Sequence, residues 1–361
     1  MRLMFYNGDV DTVCQFLGDQ WLIESLAAVR NLTVISERKQ WTYRQDVWFK
    51  PTIAGYVKQW SQNLVQLTVK GSGHFVPMDR PAQALQMISN FLTNSDYSFP
   101  ALVDTTPKPI ISSNSTPVAT QNCTRKVGDT ESDRIFSMPG LTDELSFKQY
   151  SGFLKGSDTH MLHYWYEHIN RYIDFFRNEI CCYRLVEAEL ANPADAPLLL
   201  WLNGGPGSSS LEGLFFENGP FRIGKDGFTV TRNPYSWNKA GYCSGFANIL
   251  YLESPVGVGY SYSTDGVLPQ YSDELTAAEN YAALVDFFNL YPEYRTRPFY
   301  TTGESYAGVY IPTLSALLIQ GIQNGTLNIN YKGLAIGNGV LNKRTDMNSL
   351  FHVSYYHGQM T

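Results

Sequence analysis

Short, continuous apolar runs that stop at glycine-containing turns recur along the chain, with helical periodicity between them. Within residues 1–95, RLMFY (2–6) and QLTVK (66–70) read as strands, the second followed by Gly71-Ser72-Gly73-His74. RPAQALQMISNFL (80–92) places Ala84, Met87, Ile88 and Phe91 on one helix face, because positions three and four apart come together at 3.6 residues per turn. Residues 96–132 are rich in Ser, Thr and Pro, lack apolar periodicity, and read as a solvated linker. From residue 133 order returns: QYSGFL (149–154) and HMLHYWY (160–166) alternate like strands of an exposed antiparallel hairpin. APLLLWLNGGPG (196–207), FANILYLESPVG (246–257), RPFYTTGES (297–305) and GLAIGNGV (333–340) are continuous apolar runs, interleaved with helical AAENYAALVDFFNLY (277–291). Strands that are apolar on both faces belong in a parallel sheet covered by helices, so the pattern predicts an α/β fold. Ligands of such sheets sit beyond the C-terminal strand ends, where these glycine turns fall.

Gly303-Glu304-Ser305-Tyr306-Ala307 combines a strand end, a tight turn with serine at its tip, and a helix start. A nucleophile elbow needs small flanking residues because its backbones approach closely; the plainer alternative is a glycine-bounded turn with a surface serine. A working elbow also needs an oxyanion hole, a base and an acid. Asn203-Gly204-Gly205-Pro206-Gly207 offers backbone N–H groups for such a hole, beside the N–H of Tyr306. No Lys follows those glycines, which counts against a phosphate-binding loop. Hydrolases built on this elbow place the acid and base after the serine, yet the sequence ends at Thr361.

Composition narrows the setting. With 361 residues, 43% of them hydrophobic, the chain can bury a large core. A net charge of −6 with 17% charged residues argues against a nucleic-acid partner, which requires a basic face. No apolar run is long enough to predict a membrane span. MRLMFYNGDVDTVC does not read as a signal peptide, because its apolar run meets Asn7-Gly8-Asp9 too soon. N-x-S/T sequons at Asn31, Asn114, Asn122 and Asn324 are glycosylation candidates. Five cysteines, Cys14, Cys123, Cys181, Cys182 and Cys243, leave one unpaired under any pairing, so no disulfide framework is legible. His160 and His163 have HxxH spacing, but no Cys or carboxylate completes a zinc set, and neither a metal nor another cofactor is expected.

Trp201-Leu202-Asn203-Gly204-Gly205-Pro206-Gly207-Ser208-Ser209, Tyr251-Leu252-Glu253-Ser254-Pro255, Gly303-Glu304-Ser305-Tyr306-Ala307-Gly308 and the run Gly333 to Gly339 resemble the serine carboxypeptidases, an α/β-hydrolase family of lysosomal, vacuolar and secreted enzymes. Tyr6-Asn7-Gly8-Asp9-Val10-Asp11 resembles the family's catalytic-Asp turn, and Lys70-Gly71-Ser72-Gly73-His74-Phe75-Val76-Pro77 its catalytic-His turn. The resemblance implies a mostly parallel central sheet flanked by helices. It also implies Ser305 as nucleophile, His74 as base and Asp11 as the acid, with Asp9 the competitor in the same turn. The N–H groups of Gly205 and Tyr306 would form the oxyanion hole, and Asn203, Gly204, Glu217 and Glu304 would bind the substrate's C-terminal carboxylate. Two carboxyls beside that carboxylate cannot all ionise, so shared protons and an acidic optimum are expected. Peptide or protein C-termini are the implied substrates, in a lysosomal or secreted setting, and a homodimer is compatible with the family.

In that family the order is Ser, Asp, His, whereas Asp11 and His74 here precede Ser305. Residues 1–95 therefore read as the C-terminal half of a module, 96–132 as a linker, and 133–361 as an N-terminal half, with the lid insertion largely missing. A fragment spanning two tandem modules and a lidless circular permutant both fit, the abrupt ends favouring the fragment. Ser208 stands where many members carry Cys. Residues 167–185 and 240–245 interrupt runs that the family joins, as surface loops or, the favoured reading, as translated non-coding sequence. The alternative to an enzyme is a catalytically impaired fragment or permuted module acting as a binding or stabilising partner.

Overall fold

A computed structural model of the protein describes residues 1–45, 48–101, 133–135, 140–141, 147–167, 184–186, 196–239 and 247–358. The first segment contributes β1 (Arg2–Gly8), α1 (Phe16–Val29), β2 (Val34–Tyr43), β3 (Thr52–Trp60), β4 (Leu64–Val69), α2 (Val76–Asp79) and α3 (Pro81–Thr93). The second contributes β5 (Arg134–Ile135), β6 (Gln149–Lys155), β7 (His160–Glu167), β8 (Arg184–Val186), β9 (Leu198–Leu202), β10 (Phe221–Ile223), β11 (Val230–Arg232), β12 (Asn248–Leu252) and β13 (Tyr262–Ser263). Then follow α4 (Asp273–Leu290), β14 (Phe299–Glu304), α5 (Ala307–Gln323), β15 (Tyr331–Gly337) and α6 (Lys343–Tyr356). All strands but the β10–β11 pair join one sheet, in the order β2-β3-β4-β1-β15-β14-β9-β12-β8-β7-β6-β5, with β13 on β7.

The centre of that sheet, β4-β1-β15-β14-β9-β12, is parallel throughout. Every residue of β4, β9, β12 and β14 is buried, as continuous apolar runs between two helical layers require. Alternation divides their side chains between two cores. Met4, Tyr6, Trp201 and Tyr300 pack with α3 on one face. Leu198, Leu200, Leu202, Leu334 and Ile336 pack with α4 and α5 on the other. The expected mostly parallel sheet flanked by helices is thus found, with antiparallel strands at its two margins.

Helix ends follow local chemistry. Ser272 caps α4 by accepting from Leu275 N at 3.2 Å, and Asp273 and Glu274 complement its N-terminal dipole. Asn342 caps α6 through the N–H groups of Arg344 and Thr345. The four predicted core residues of α3 are all buried.

Two expectations need correction. The β6–β7 pair is antiparallel but β6 is not exposed: six of its seven residues are buried, because α4 covers it and Asp286 of α4 accepts from Lys155 N at 2.9 Å. Nor does the solvated stretch start at residue 96. Tyr97 is buried, its hydroxyl lies 3.7 Å from Met4 Sδ, and its carbonyl accepts from Gln86 and Asn90 of α3. Residues 102–132, with Asn114, Asn122 and Cys123, lie outside the described residues, as do His168, Cys181, Cys182, Cys243 and nearly all of the two interrupting segments. Asn31 and Asn324 are exposed at the ends of α1 and α5. Among the described residues no helix is long and apolar enough to cross a membrane.

Candidate active site

The turns that carry Asp11, His74, Asn203 and Ser305 each leave the C-terminal end of a parallel strand. Ser305 follows β14 with a left-handed φ of 59°, a conformation that costs a non-glycine residue energy and recurs at functional turns. It is held by hydrogen bonds from its N–H to Gly337 O (3.1 Å) and from Val340 N to its carbonyl (2.9 Å). A Cβ on Gly303 would meet Leu202 O at 2.4 Å and Ala307 Cβ at 2.7 Å, so the elbow's small residue is a packing requirement.

The turn after β1 brings Asp11 to the turn after β4. Asp11 Oδ2 lies 2.8 Å from His74 Nδ1 and also accepts from Cys14 N (3.1 Å), while Oδ1 accepts from Val13 N (2.8 Å). Burial works against ionisation of Asp11, but the bonds from His74 and these N–H groups outweigh it and hold the carboxyl below its ordinary range. Asp9 instead ties the two turns together, accepting from Gly71 N at 2.6 Å. Among the described residues no hydrogen bond joins Ser305 Oγ to His74.

Gly204 backs directly onto the elbow: a Cβ there would lie 2.3 Å from Tyr306 N and 2.8 Å from Ser305 Cβ. Among the described residues neither Gly205 N–H nor Tyr306 N–H donates a hydrogen bond, which leaves two backbone donors beside the serine.

The carboxyl cluster is built from Asn203. Its Oδ1 accepts from Trp201 Nε1 (2.7 Å) and Gly213 N (3.1 Å), which fixes the amide so that Nδ2 faces Glu217 Oε1 (2.9 Å) and Glu304 Oε1 (3.3 Å). Both glutamates are buried, Glu217 in a π-helical turn (Gly213–Glu217) and Glu304 at the end of β14. Burial, and then the neighbouring Glu217 charge, pushes Glu304 well above the usual carboxylate range. Burial likewise raises Glu217, although bonds from Glu304 and Asn203 pull the other way. Two buried carboxyls held against one amide are costly to ionise together, which favours a proton kept on the pair.

Two features, at Asn338 and Cys14, escaped the reading of motifs. Asn338, in the turn after β15, donates to Asp11 Oδ2 (2.8 Å) and accepts from Gly8 N (3.1 Å), joining β15 to the turn of Asp11. It adopts a left-handed φ of 41°, which Asn tolerates. Cys14 is buried beside Asp11, and ligand-type atoms of Asp11, Cys14 and His74 lie within 4.8 Å of one another. Burial, with Asp11 beside it, raises the thiol and keeps it protonated, which suits packing rather than metal binding. His160 pairs with Glu279, and His163 lies 2.7 Å from Glu253, whose other oxygen accepts from Ser209.

The sequence model of a family described as serine carboxypeptidase matches residues 1–94 and 139–361. The mouse lysosomal protective protein is 45% identical over 228 residues, covering 63% of this chain and 41% of that protein. A Caenorhabditis elegans serine carboxypeptidase is 45% identical over 238 residues, covering 64% of this chain and 37% of that protein. Among solved structures, a prohormone-processing carboxypeptidase from Saccharomyces cerevisiae aligns with a TM-score of 0.53 at 24% identity, over 64% of this chain and 48% of that one, and shares the fold. The chain spans about two-fifths of the length of the curated relatives it matches.

Proposed function

The chain belongs to the serine carboxypeptidase family, and from that premise we propose that it hydrolyses C-terminal peptide bonds through Ser305, His74 and Asp11. Ser305 Oγ attacks the scissile carbonyl while His74 takes its proton. Asp11 holds the imidazole by its Nδ1 and stabilises the imidazolium that forms. The N–H groups of Gly205 and Tyr306 bind the oxyanion; as the intermediate collapses the C–N bond breaks, His74 gives its proton to the departing amine of the C-terminal residue, and water then hydrolyses the acyl-enzyme. Asn203, Gly204, Glu217 and Glu304 receive the substrate's free carboxylate, which restricts cleavage to chain ends. That third carboxylate fits only while the cluster keeps its protons, so activity peaks at acidic pH and falls as the cluster deprotonates. An acidic optimum suits a lysosomal or secreted setting, in line with the name of the mouse relative. No cofactor enters the reaction.

The observation that carries this reading is the His74–Asp11 pair, 2.8 Å apart and bonded through Asn338 to the strand beside the Ser305 elbow. We further propose that residues 1–95 and 133–361 are complementary halves of one module working within one chain. Pairing of β1 between β4 and β15 supports this. A second reading, a catalytically impaired module that binds or stabilises a partner, is favoured by the lack of a Ser305–His74 hydrogen bond among the described residues. Labelling of the purified chain with a fluorophosphonate probe separates the two. Expected is labelling that Ser305→Ala abolishes and that His74→Ala and Asp11→Asn sharply reduce; a folded chain that takes no label would establish the second reading.

A further inference from the structure

Tyr6, Gly337 and Glu304 are in register on β1, β15 and β14, so all three face the same side of the sheet. The Tyr6 ring crosses the space that a side chain on Gly337 would fill: a Cβ there would lie 2.5 Å from Cε2 and Cζ and 2.6 Å from Oη. Two strand spacings, about 10 Å, separate the Tyr6 and Glu304 backbones, and a tyrosine reaching over a glycine closes most of that gap. Tyr6 is 1% exposed, and its hydroxyl has no hydrogen-bond partner. Glu304 Oε2 and Glu217 Oε2 also lack a donor. Leaving a buried hydroxyl unpaired is costly, so phenylalanine would be preferred here unless the donor is used in another state.

We propose that Tyr6 is a positioning residue of the carboxylate-recognition cluster, its hydroxyl donating to the Glu217–Glu304 pair when the pair gives up its shared proton or admits a substrate carboxylate. This rests on the carboxylate-binding reading above. The groups facing Tyr6 are Glu304 from β14 and Glu217 from the π-helical turn, and their charges add to burial in keeping the phenol protonated. Glu212 and Asp11 add repulsion to the pair, whereas His74 and Arg222 draw Glu217 toward its ionised form. A donor favours the ionised carboxylate, so its removal raises the pH at which the pair loses its proton.

Tyr6→Phe removes one oxygen and keeps the ring. The expected result is an alkaline limb of kcat/KM that moves up by about one pH unit on a peptide with a free C-terminus. KM should rise several-fold with kcat little changed, and the same peptide as its C-terminal amide should show no shift. The pH at which the decline in thermal stability levels off should move up equally, and in a Glu304→Gln background Tyr6→Phe should add no further shift of either kind. A Tyr6→Phe chain whose stability drops uniformly with pH, with no shift in the limb, would make Tyr6 a packing residue and overturn the proposal. Should the wild-type chain cleave no peptide, the stability arm still decides. A shifted decline would keep the Tyr6 assignment while the peptidase reading fails, and an unshifted one would end both.

Discussion

Asn203 donates to both glutamates because its carbonyl is already taken by Trp201 and Gly213, and this one amide sets the geometry of the carboxyl cluster. Glu304→Gln or Glu217→Gln preserves that shape and removes one ionisable partner. Binding of a free-carboxylate peptide should persist, and the alkaline limb of the rate profile should move upward, since less charge opposes the substrate. A limb unmoved in both variants would exclude a shared proton. Asn338 acts on the other side of the elbow, 2.8 Å from Asp11 Oδ2. Asn338→Asp would replace that donor by a like charge. Loss of a hydrogen bond to a charged group corresponds to roughly ten- to a hundredfold in rate, to be read as slower fluorophosphonate labelling. Labelling at the wild-type rate would show that His74 and the backbone orient Asp11 without Asn338.

At the scale of elements, the strand–elbow–helix unit β14–α5 depends on close backbone approach. A Cβ on Gly308 would lie 2.7 Å from both Val340 N and Val340 O, atoms that cannot swing aside. Gly308→Ala should push α5 off the turn after β15, costing about 1–3 kcal/mol. It should also slow labelling, since Val340 N bonds the Ser305 carbonyl. A lowered urea midpoint with an unchanged labelling rate would mean that the elbow does not follow the helix. The central strands, α3, α4 and the glycine turns were legible because a buried parallel strand must be apolar along its whole length and must stop at a turn. What stayed hidden was of another kind. The burial of β6 depends on α4, whose residues follow it by more than a hundred positions. The assignment of Asp11 over Asp9 came from the family pattern, because both lie in one turn and only the approach of His74 distinguishes them. Asn338 and Tyr6 act through neighbours on adjacent strands, and register across a parallel sheet leaves no local mark on sequence.

Across the whole molecule the two segments meet where buried carboxyls collect. Asp19 of α1 accepts from Asn7 and is raised well above its ordinary value, by burial first and then by Asp346. Asp346 of α6, packed against Gly18, is pushed up to about 6 by burial. Burial also raises Glu217 and Glu304 at the strand edge. A carboxyl that holds its proton more tightly when folded makes the native state bind more protons than the unfolded chain, and stability then falls as pH rises. The decline should begin near the unfolded value, about 4, and continue through 6, where Asp346 titrates, as the raised groups lose their protons. Asp11 works in the opposite sense: its depressed value contributes stability that disappears only as pH drops below the ordinary carboxylate range. The chain should therefore be most stable near pH 4–5, with a melting temperature several degrees lower at pH 7.5, as carboxyl linkage on the order of a few kcal/mol implies for a chain of this size. Thermal melts from pH 4 to 8 measure it directly. A maximum at neutral pH would mean that these carboxyls ionise without penalty in the fold, and the shared-proton account of the active-site cluster would fall with it.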